Sequence, residues 1–486
     1  MSAVDRFDGA SAGVKVSLRP APRGGRCARI SSFVREILSK YLSVESWRTA
    51  WEIATRKDLS QRFLSVWKPG SYVVDLPNPR GTTYLTAHPS VMSAIFNHYR
   101  KSPEGIFYDS ENSKLLLAGI LQDLFPEEIA ELGLEEGEDA LVLTAKAAHV
   151  PALRRHFDQF IGASVISGYS KILADIADDL LTGLSDEEKK ECDVAKLSFE
   201  FAATVICRLF TEYGSSREDY QSVGKAMDAV SKRMARIILS QPATPEQVKE
   251  YEAAKTFIKD LVQTCLDHPS PFVLGLKTSE MNDFQCKVFL FGLYFAGTET
   301  TASVTNALLW ELGKQENQWV QDQIRDPETS EKAKLRAVAE TFRLHPPVYV
   351  AGRCLRENTV LRVEDRATRG LLFEKELRKG HNIVCLPQAG GQDPVLYPHP
   401  ETFDPLRFDD PQIPNLSFFP FGGGFHICPG RYLAKAELLT FLDRFFYHYS
   451  AITLFPKHFE QKGVATLRAT TPAKIQLIPL NHAEEE

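Results

Sequence analysis

Several things are missing from this 486-residue chain, and each absence removes a class of protein. The eight cysteines, at positions 27, 192, 207, 265, 286, 354, 385 and 428, form no CxxC pair and keep no regular spacing. That excludes a disulfide framework and suits a reducing compartment. Basic residues do not outnumber acidic ones: 57 Lys and Arg stand against 63 Asp and Glu, a formal net charge of −6, which argues against a nucleic-acid partner. No internal repeat or low-complexity tract is visible, and neither a secretory signal nor a membrane-spanning run opens the sequence. What remains is a cytoplasmic protein, soluble or in peripheral contact with a membrane. Its 43% hydrophobic and 25% charged residues are enough for an ordinary globular core.

The N-terminus turns basic at Arg19, Arg23, Arg26 and Arg29. Ile30, Phe33, Val34, Ile37, Leu38, Tyr41 and Leu42 then follow helical apolar spacing. Residues 1–45 therefore read as an extension with an amphipathic helix, which packs on the body or touches a membrane surface. Tyr72–Leu76 and Thr82–Thr86 flank Pro77-Asn78-Pro79-Arg80-Gly81 and predict a hairpin, and His88-Pro89-Ser90 opens a helix. Helical patterns dominate from Pro126 to Leu312, broken by turns at Glu135–Asp139, Ser185–Glu191 and Gln241–Glu246. After Pro346 the chain becomes irregular and rich in Pro and Gly.

The densest chemical signal is Phe421-Gly-Gly-Gly-Phe-His-Ile-Cys428-Pro-Gly-Arg-Tyr-Leu-Ala434. Gly422, Gly423 and Gly424 permit backbone angles and a close approach to a flat ligand that a Cβ would block. Pro429 suits the first position of a helix, which would place Cys428 at a helix N-terminus, where an anionic thiolate is favoured. Taken alone, Cys428 could be a buried apolar residue, or His426 and Cys428 could begin a zinc site. Zinc normally gathers four ligands from paired clusters, and no second pair is nearby.

The whole pattern resembles the signature of the cytochromes P450, with every position of that signature filled. The resemblance covers nearly the whole chain. It implies a mainly α protein with a small β region, a single large helical domain over 46–486, and a long central helix crossing the haem. It implies haem b with Cys428 as the axial iron ligand, and Phe421 and Gly424 as part of its cradle.

Two further segments fit the same resemblance. Phe289–Thr301 is apolar yet contains Gly297, three threonines and Glu299, residues that weaken a helix interior or resist burial. In the family this Ala-Gly-x-acid-Thr motif lies over the haem. Ala296 and Gly297 leave room for dioxygen, the Thr300 hydroxyl hydrogen-bonds the oxygen being reduced, and Glu299 relays protons from solvent. Glu340 and Arg343 share a helix face just before Pro346-Pro347 and match the Glu-x-x-Arg motif, with Arg407 as the third member. For the haem carboxylates the resemblance implies His426, Arg353 and Arg154, with Arg155 as the alternative to the last.

No dinucleotide- or flavin-binding segment is visible. Electrons are therefore expected from a separate ferredoxin or flavoprotein reductase, with Arg431 and Lys435 as candidates for its docking patch. The expected activity is insertion of one atom of dioxygen into an apolar small molecule, such as a fatty acid, terpenoid or sterol-like compound. A peroxygenase or oxylipin-rearranging enzyme that needs no reductase is the alternative within the family. A non-enzymatic haem-binding protein is the alternative outside it. Residues 103–122 and Val348–Val350 are where the substrate pocket is expected.

Overall fold

The computed structural model describes residues 14–20, 59–78, 81–98, 107–109, 120–132, 150–239, 242–279, 281–411, 413, 418–463, 466–470 and 473–480. The amphipathic pattern at 30–42 and Glu135–Asp139 lie outside them, as does most of the expected pocket segment 103–122. The chain forms two compact units. One comprises Met1–Ser113, Val348–Thr402 and Asp409–Ile427; the other comprises Lys114–Pro347, Phe403–Phe408 and Cys428–Glu486.

The first unit holds most of the β structure. Strand β1 (Val14–Pro20), from the stretch read as an N-terminal extension, precedes helix α1 (Leu59–Val66) and the hairpin β2 (Val74–Asn78) and β3 (Gly81–Thr86). Helix α2 (Pro89–His98) and the strands β4 (Phe107–Asp109), β5 (Ala351–Leu355), β6 (Thr359–Asp365), β7 (Leu371–Leu377) and β8 (Asn382–Cys385) complete it. The expected hairpin is present and antiparallel, pairing Val74 with Leu85 and Asn78 with Gly81. A five-stranded sheet has the order β2-β3-β8-β5-β4, and a three-stranded one has the order β1-β6-β7. Strands β3 and β8 run parallel, which requires a long crossover between them, whereas β5 and β8 are antiparallel. Val66, Trp67, Leu85, Ala87, Leu386 and Ala389 form a core under this sheet.

The second unit is built from helices. The longer ones are α3 (Val150–Ile161), α4 (Ser170–Thr182), α5 (Val194–Ile206), α6 (Arg217–Leu239), α7 (Pro245–Asp267), α8 (Asp283–Gly313), α9 (Gln318–Arg325), α10 (Ser330–Leu344) and α11 (Arg431–His448). Small antiparallel sheets follow: β9 (Tyr449–Phe455) with β12 (Lys474–Pro479), and β10 (Gln461–Gly463) with β11 (Leu467–Ala469). A helical run at Leu153–Thr182 is long and apolar enough to cross a membrane by length and composition. Its second half, α4, buries Leu173, Ile176, Ala177, Leu180 and Leu181 within the fold.

Helix α8 organises this unit. Asn282 starts it with a capping box, accepting from the Gln285 N–H while the Gln285 side chain accepts from the Asn282 N–H. At 31 residues it is about 46 Å long, and its apolar residues go right round it, as a helix enclosed by others requires. Phe157 of α3 stacks on Phe289 of α8 with ring centroids 4.7 Å apart. Each such buried ring contributes about 1.5–3 kcal/mol, and this contact fixes α3 on α8. Gly297 has a different use from the one expected. A Cβ there would meet Cδ1 of Ile206 at 2.6 Å, so the missing side chain admits α5 rather than leaving open space.

The Glu-x-x-Arg motif is fully buried at the end of α10. Glu340 Oε1 accepts from Arg343 at 2.7 Å, from Arg407 Nε at 3.0 Å and from the Asp404 N–H at 2.9 Å, while Oε2 accepts from Arg343 Nε at 2.8 Å. Replacing Arg407 by Met removes one cation from a buried carboxylate. The expected loss is about 3 kcal/mol, read as a lower urea midpoint, and an unchanged midpoint would show that the cluster does not tie 403–408 to α10.

Candidate functional site

In the second unit, Cys428 is placed by the turn that leads into α11. The helix begins two residues later than expected: Gly430 caps it, its carbonyl takes the Ala434 N–H at 2.8 Å, and Pro429 stands before the cap rather than at the first helical position. The turn still aims the backbone N–H groups of Gly430 and Arg431 at the Cys428 sulfur. Burial pushes the thiol above its ordinary pKa, against those two donors and the guanidinium groups of Arg431 and Arg154. A buried sulfur with anion-type donors and an opposing desolvation cost is suited to sharing its charge with a metal cation.

Arg154, on α3, is half-buried and within electrostatic reach of Cys428 and Arg431, while its neighbour Arg155 is exposed. Of the two arginines considered from the sequence, Arg154 is thus the one turned inward. Arg431 donates to the Cys428 carbonyl at 3.0 Å and lies over the Tyr432 ring, so its charge is used locally.

On α8, Ala296 is exposed, and the Thr300 hydroxyl donates to its carbonyl at 2.7 Å. Glu299 has no exposure. Its Oε1 accepts from Ser231 at 3.0 Å and from Thr466 at 2.5 Å, and it pairs with Arg468 Nε at 2.6 Å, while Oε2 accepts from a terminal nitrogen of Arg468 at 2.8 Å. Arg468 also pairs with Asp228 on α6 at 2.7 Å. Burial works against the Arg468 charge, but Glu299 and Asp228 outweigh it and raise its pKa. The acid expected to reach toward solvent is thus locked in a buried ion pair.

Next to Thr300, the Thr301 hydroxyl donates at 3.0 Å to Oε2 of Glu437 on α11. Glu437 is buried, and burial raises its pKa to about 7, the Thr301 bond opposing the shift. The sequence reasoning did not identify Glu437 or Arg468. Glu437 was detectable, because it occupies the core stripe of α11 with Leu433 and Phe441 at i−4 and i+4.

In the first unit, the glycine loop lies against α2. Gly424 has φ +65°, and a Cβ on it would fall 1.8 Å from the Phe96 carbonyl oxygen, while one on Gly423 would fall 3.0 Å from Phe96 Cβ. Both glycines therefore make room for the protein itself, and Gly422, at φ +66°, is the one of the three that faces open space. Phe421 is half-buried and His426 buried. Arg353 lies on β5 and donates to the Gly352 carbonyl at 2.8 Å.

The Cytochrome P450 family model matches residues 131–477. The chain belongs to the cytochrome P450 family. It is 31% identical over 223 residues to human "Cytochrome P450 4F11", a match covering 41% of this chain and 40% of that protein. To "Melianol synthase CYP71BQ5" of Melia azedarach it is 29% identical over 251 residues, 46% of each chain. The chain thus spans less than half the length of these curated relatives. The P450 fold itself is shown by two solved structures, both at TM-score 0.65. "Retinoic acid bound cyanobacterial CYP120A1" is 17% identical, with 87% of this chain and 94% of that one covered. CYP175A1 from Thermus thermophillus is 20% identical, with 87% and 96% covered.

The family implies haem with cysteine-thiolate ligation of its iron. The residues present fit that group. The Cys428 sulfur already has its anion donors, and among the described residues no group of three His, Cys, Asp or Glu side chains is placed to hold a metal ion.

Two measurements follow from this geometry. Gly424→Ala would force the loop off Phe96, and less than half the wild-type haem per protein is expected on purification, whereas normal haem content would show that the loop adapts. Glu437 has a folded pKa of about 7, above its ordinary 4.5. The stability it contributes is full below pH 4.5 and is lost as pH rises through 7. Glu437→Gln removes that dependence. Between pH 5 and 8 the variant should gain relative to wild type, by up to about 3 kcal/mol, in urea unfolding, and parallel pH profiles would contradict the assignment.

Proposed function

We propose that this protein is a haem-thiolate monooxygenase that inserts one atom of dioxygen into an apolar organic substrate, with electrons from a separate ferredoxin or flavoprotein reductase. The reading rests above all on Cys428, a lone cysteine with two backbone donors and two cations around its sulfur. Cys428 is the proposed iron ligand. His426, Arg353 and Arg154 are the proposed partners of the haem carboxylates, and Phe421, Gly424 and Ala296 the proposed contacts with its faces. Bound haem would supply dioxygen activation and a store for electrons.

The chain's own part is to position the substrate and to deliver protons. The Thr300 hydroxyl rests on the Ala296 carbonyl and becomes available by rotating away from it. Glu437, with a pKa of about 7, carries its proton about half the time near neutrality and keeps it on the Thr301 side of α8. Glu299 is held by Arg468, Ser231 and Thr466, so its first role is to hold α8 against α6 and β11. Among the candidate substrates a terpenoid is favoured, because relatives at 27–30% identity are named melianol synthase, abscisic acid 8'-hydroxylase and beta-amyrin 11-oxidase.

The test uses the full-length chain reconstituted with haem. Wild type should give the thiolate form of the carbon-monoxide difference spectrum and consume NADPH with a reductase in the presence of substrate. Cys428→Ala should lose the spectrum. Thr300→Ala should keep it, but form about tenfold to a hundredfold less product per NADPH consumed, as loss of a positioned proton-transfer group implies. Inertness of spectrally normal wild type with every reductase tried would overturn the reading.

A further inference from the structure

Glu437 of α11 is a buried acid, 2% exposed, whose hydrogen-bond partner is the neutral hydroxyl of Thr301 at 3.0 Å. Its place on the helix relates it to Cys428. The sulfur is held by the N–H groups of Gly430 and Arg431. Glu437 follows Gly430 by seven residues, which is about 10.5 Å along the axis and within about 20° of the same face. Side chains on a helix tilt toward its N-terminus, so the carboxyl leans back toward the sulfur. Buried Leu433 and Ala434 occupy that face between them, an apolar path in which charges are weakly screened. The charged groups on the elements packed against α11 are committed to one another. Asp178 of α4 pairs with Arg444 and His448, Asp322 of α9 with Arg325, and Lys334 of α10 with Asp443. Glu340 of α10 is paired with Arg343, and Glu299 of α8 with Arg468. Lys435 lies about 160° round α11 from Glu437. None of these acts on Glu437: burial opposes its charge and raises its pKa to about 7, and the Thr301 bond alone eases it.

We infer that Glu437 is a redox-linked proton acceptor: when one electron enters the iron site at Cys428, the Glu437 carboxylate takes up a proton from solvent, and the two charges cancel. The reductant is the electron-transfer protein of the proposed function. One O–H bond forms on the carboxyl, and no bond of the chain breaks. The cause is electrostatic. An added electron makes the site more negative, and a carboxylate in the same low-dielectric region becomes harder to keep ionised. By linkage, an ionised Glu437 makes the electron equally harder to add. Two unit charges about 12 Å apart, at an effective dielectric of about 20, change each other's equilibrium about tenfold. For a one-electron couple that is about 59 mV. The inference rests on the haem-thiolate reading and adds to it a residue that tunes the ease of reduction, a role separate from passing protons to oxygen.

The experiment is spectroelectrochemical titration of the full-length holoprotein as a function of pH, after the carbon-monoxide difference spectrum has been recorded. In wild type the midpoint potential should fall by about 59 mV as pH rises from about 6 to about 9, and be level on either side. Glu437→Gln, which mimics the protonated acid, should hold the low-pH value throughout. His426 and the haem carboxylates titrate in both proteins, so the difference between the two profiles is what is read. Thr301→Val removes the bond that favours the charged form and should move the fall to higher pH. In reduced-minus-oxidised infrared difference spectra, wild type at neutral pH should gain a protonated-carboxyl band that Glu437→Gln lacks. Circular dichroism checks that the variants are folded, and should Glu437→Gln fail that check, Thr301→Val and the wild-type infrared band decide. Parallel profiles in wild type and Glu437→Gln, an unmoved fall in Thr301→Val, or a wild type without the band would overturn the inference and leave the proposed function in place. A wild type that binds haem without the thiolate spectrum would overturn both.

Discussion

The second unit depends on one buried pair, Glu299 with Arg468. A carboxylate in the middle of an apolar helix is tolerable only if every lone pair is answered, and here Ser231, Thr466 and two nitrogens of Arg468 do so. Those partners come from α6 and from the segment around β11, so satisfying one side chain fixes three elements together. Asp228 holds the outer side of Arg468 and extends the tie back to α6. Such a pair adds little net stability compared with well-packed apolar residues, but it admits few alternative arrangements.

The same restriction explains how chemistry is shared along α8. Thr300 bonds within its own helix, Thr301 reaches α11, and Glu299 reaches α6 and the segment around β11. Three consecutive residues, each about 100° round the helix from the last, thereby address three surroundings. The ion-paired carboxylate is occupied, and the carboxylic acid on α11 is the group whose protonation responds near neutrality. The division follows from environment, because Glu299 has a cation against it and Glu437 has a single hydroxyl.

Much of this was legible in the sequence because it is local. The cysteine loop, the Ala-Gly-x-acid-Thr segment and the Glu-x-x-Arg pair are short and dense in residues that need a reason, and the hairpin at 74–86 follows from turn residues between β-rich runs. The partners were not legible. Arg468 lies 169 residues from Glu299, and nothing in its neighbourhood distinguishes it from a surface arginine. The glycine loop could be read as permissive, but that Phe96 occupies the space beside Gly423 and Gly424 depends on how α2 docks. Gly297 likewise looked like room for a ligand until Ile206 was seen in its place.

The separation between Glu299 and Arg468 also sets an order of events during synthesis. The acid leaves the ribosome 169 residues ahead of its cation, a delay of roughly 10–30 s at ordinary elongation rates. Until then α8 has its apolar sides ready to be covered and a carboxylate that must remain in water. The nascent helical body therefore keeps an open seam along α8, which closes when the segment around β11 emerges. In that interval the seam is where a chaperone would find an exposed apolar surface next to a negative charge.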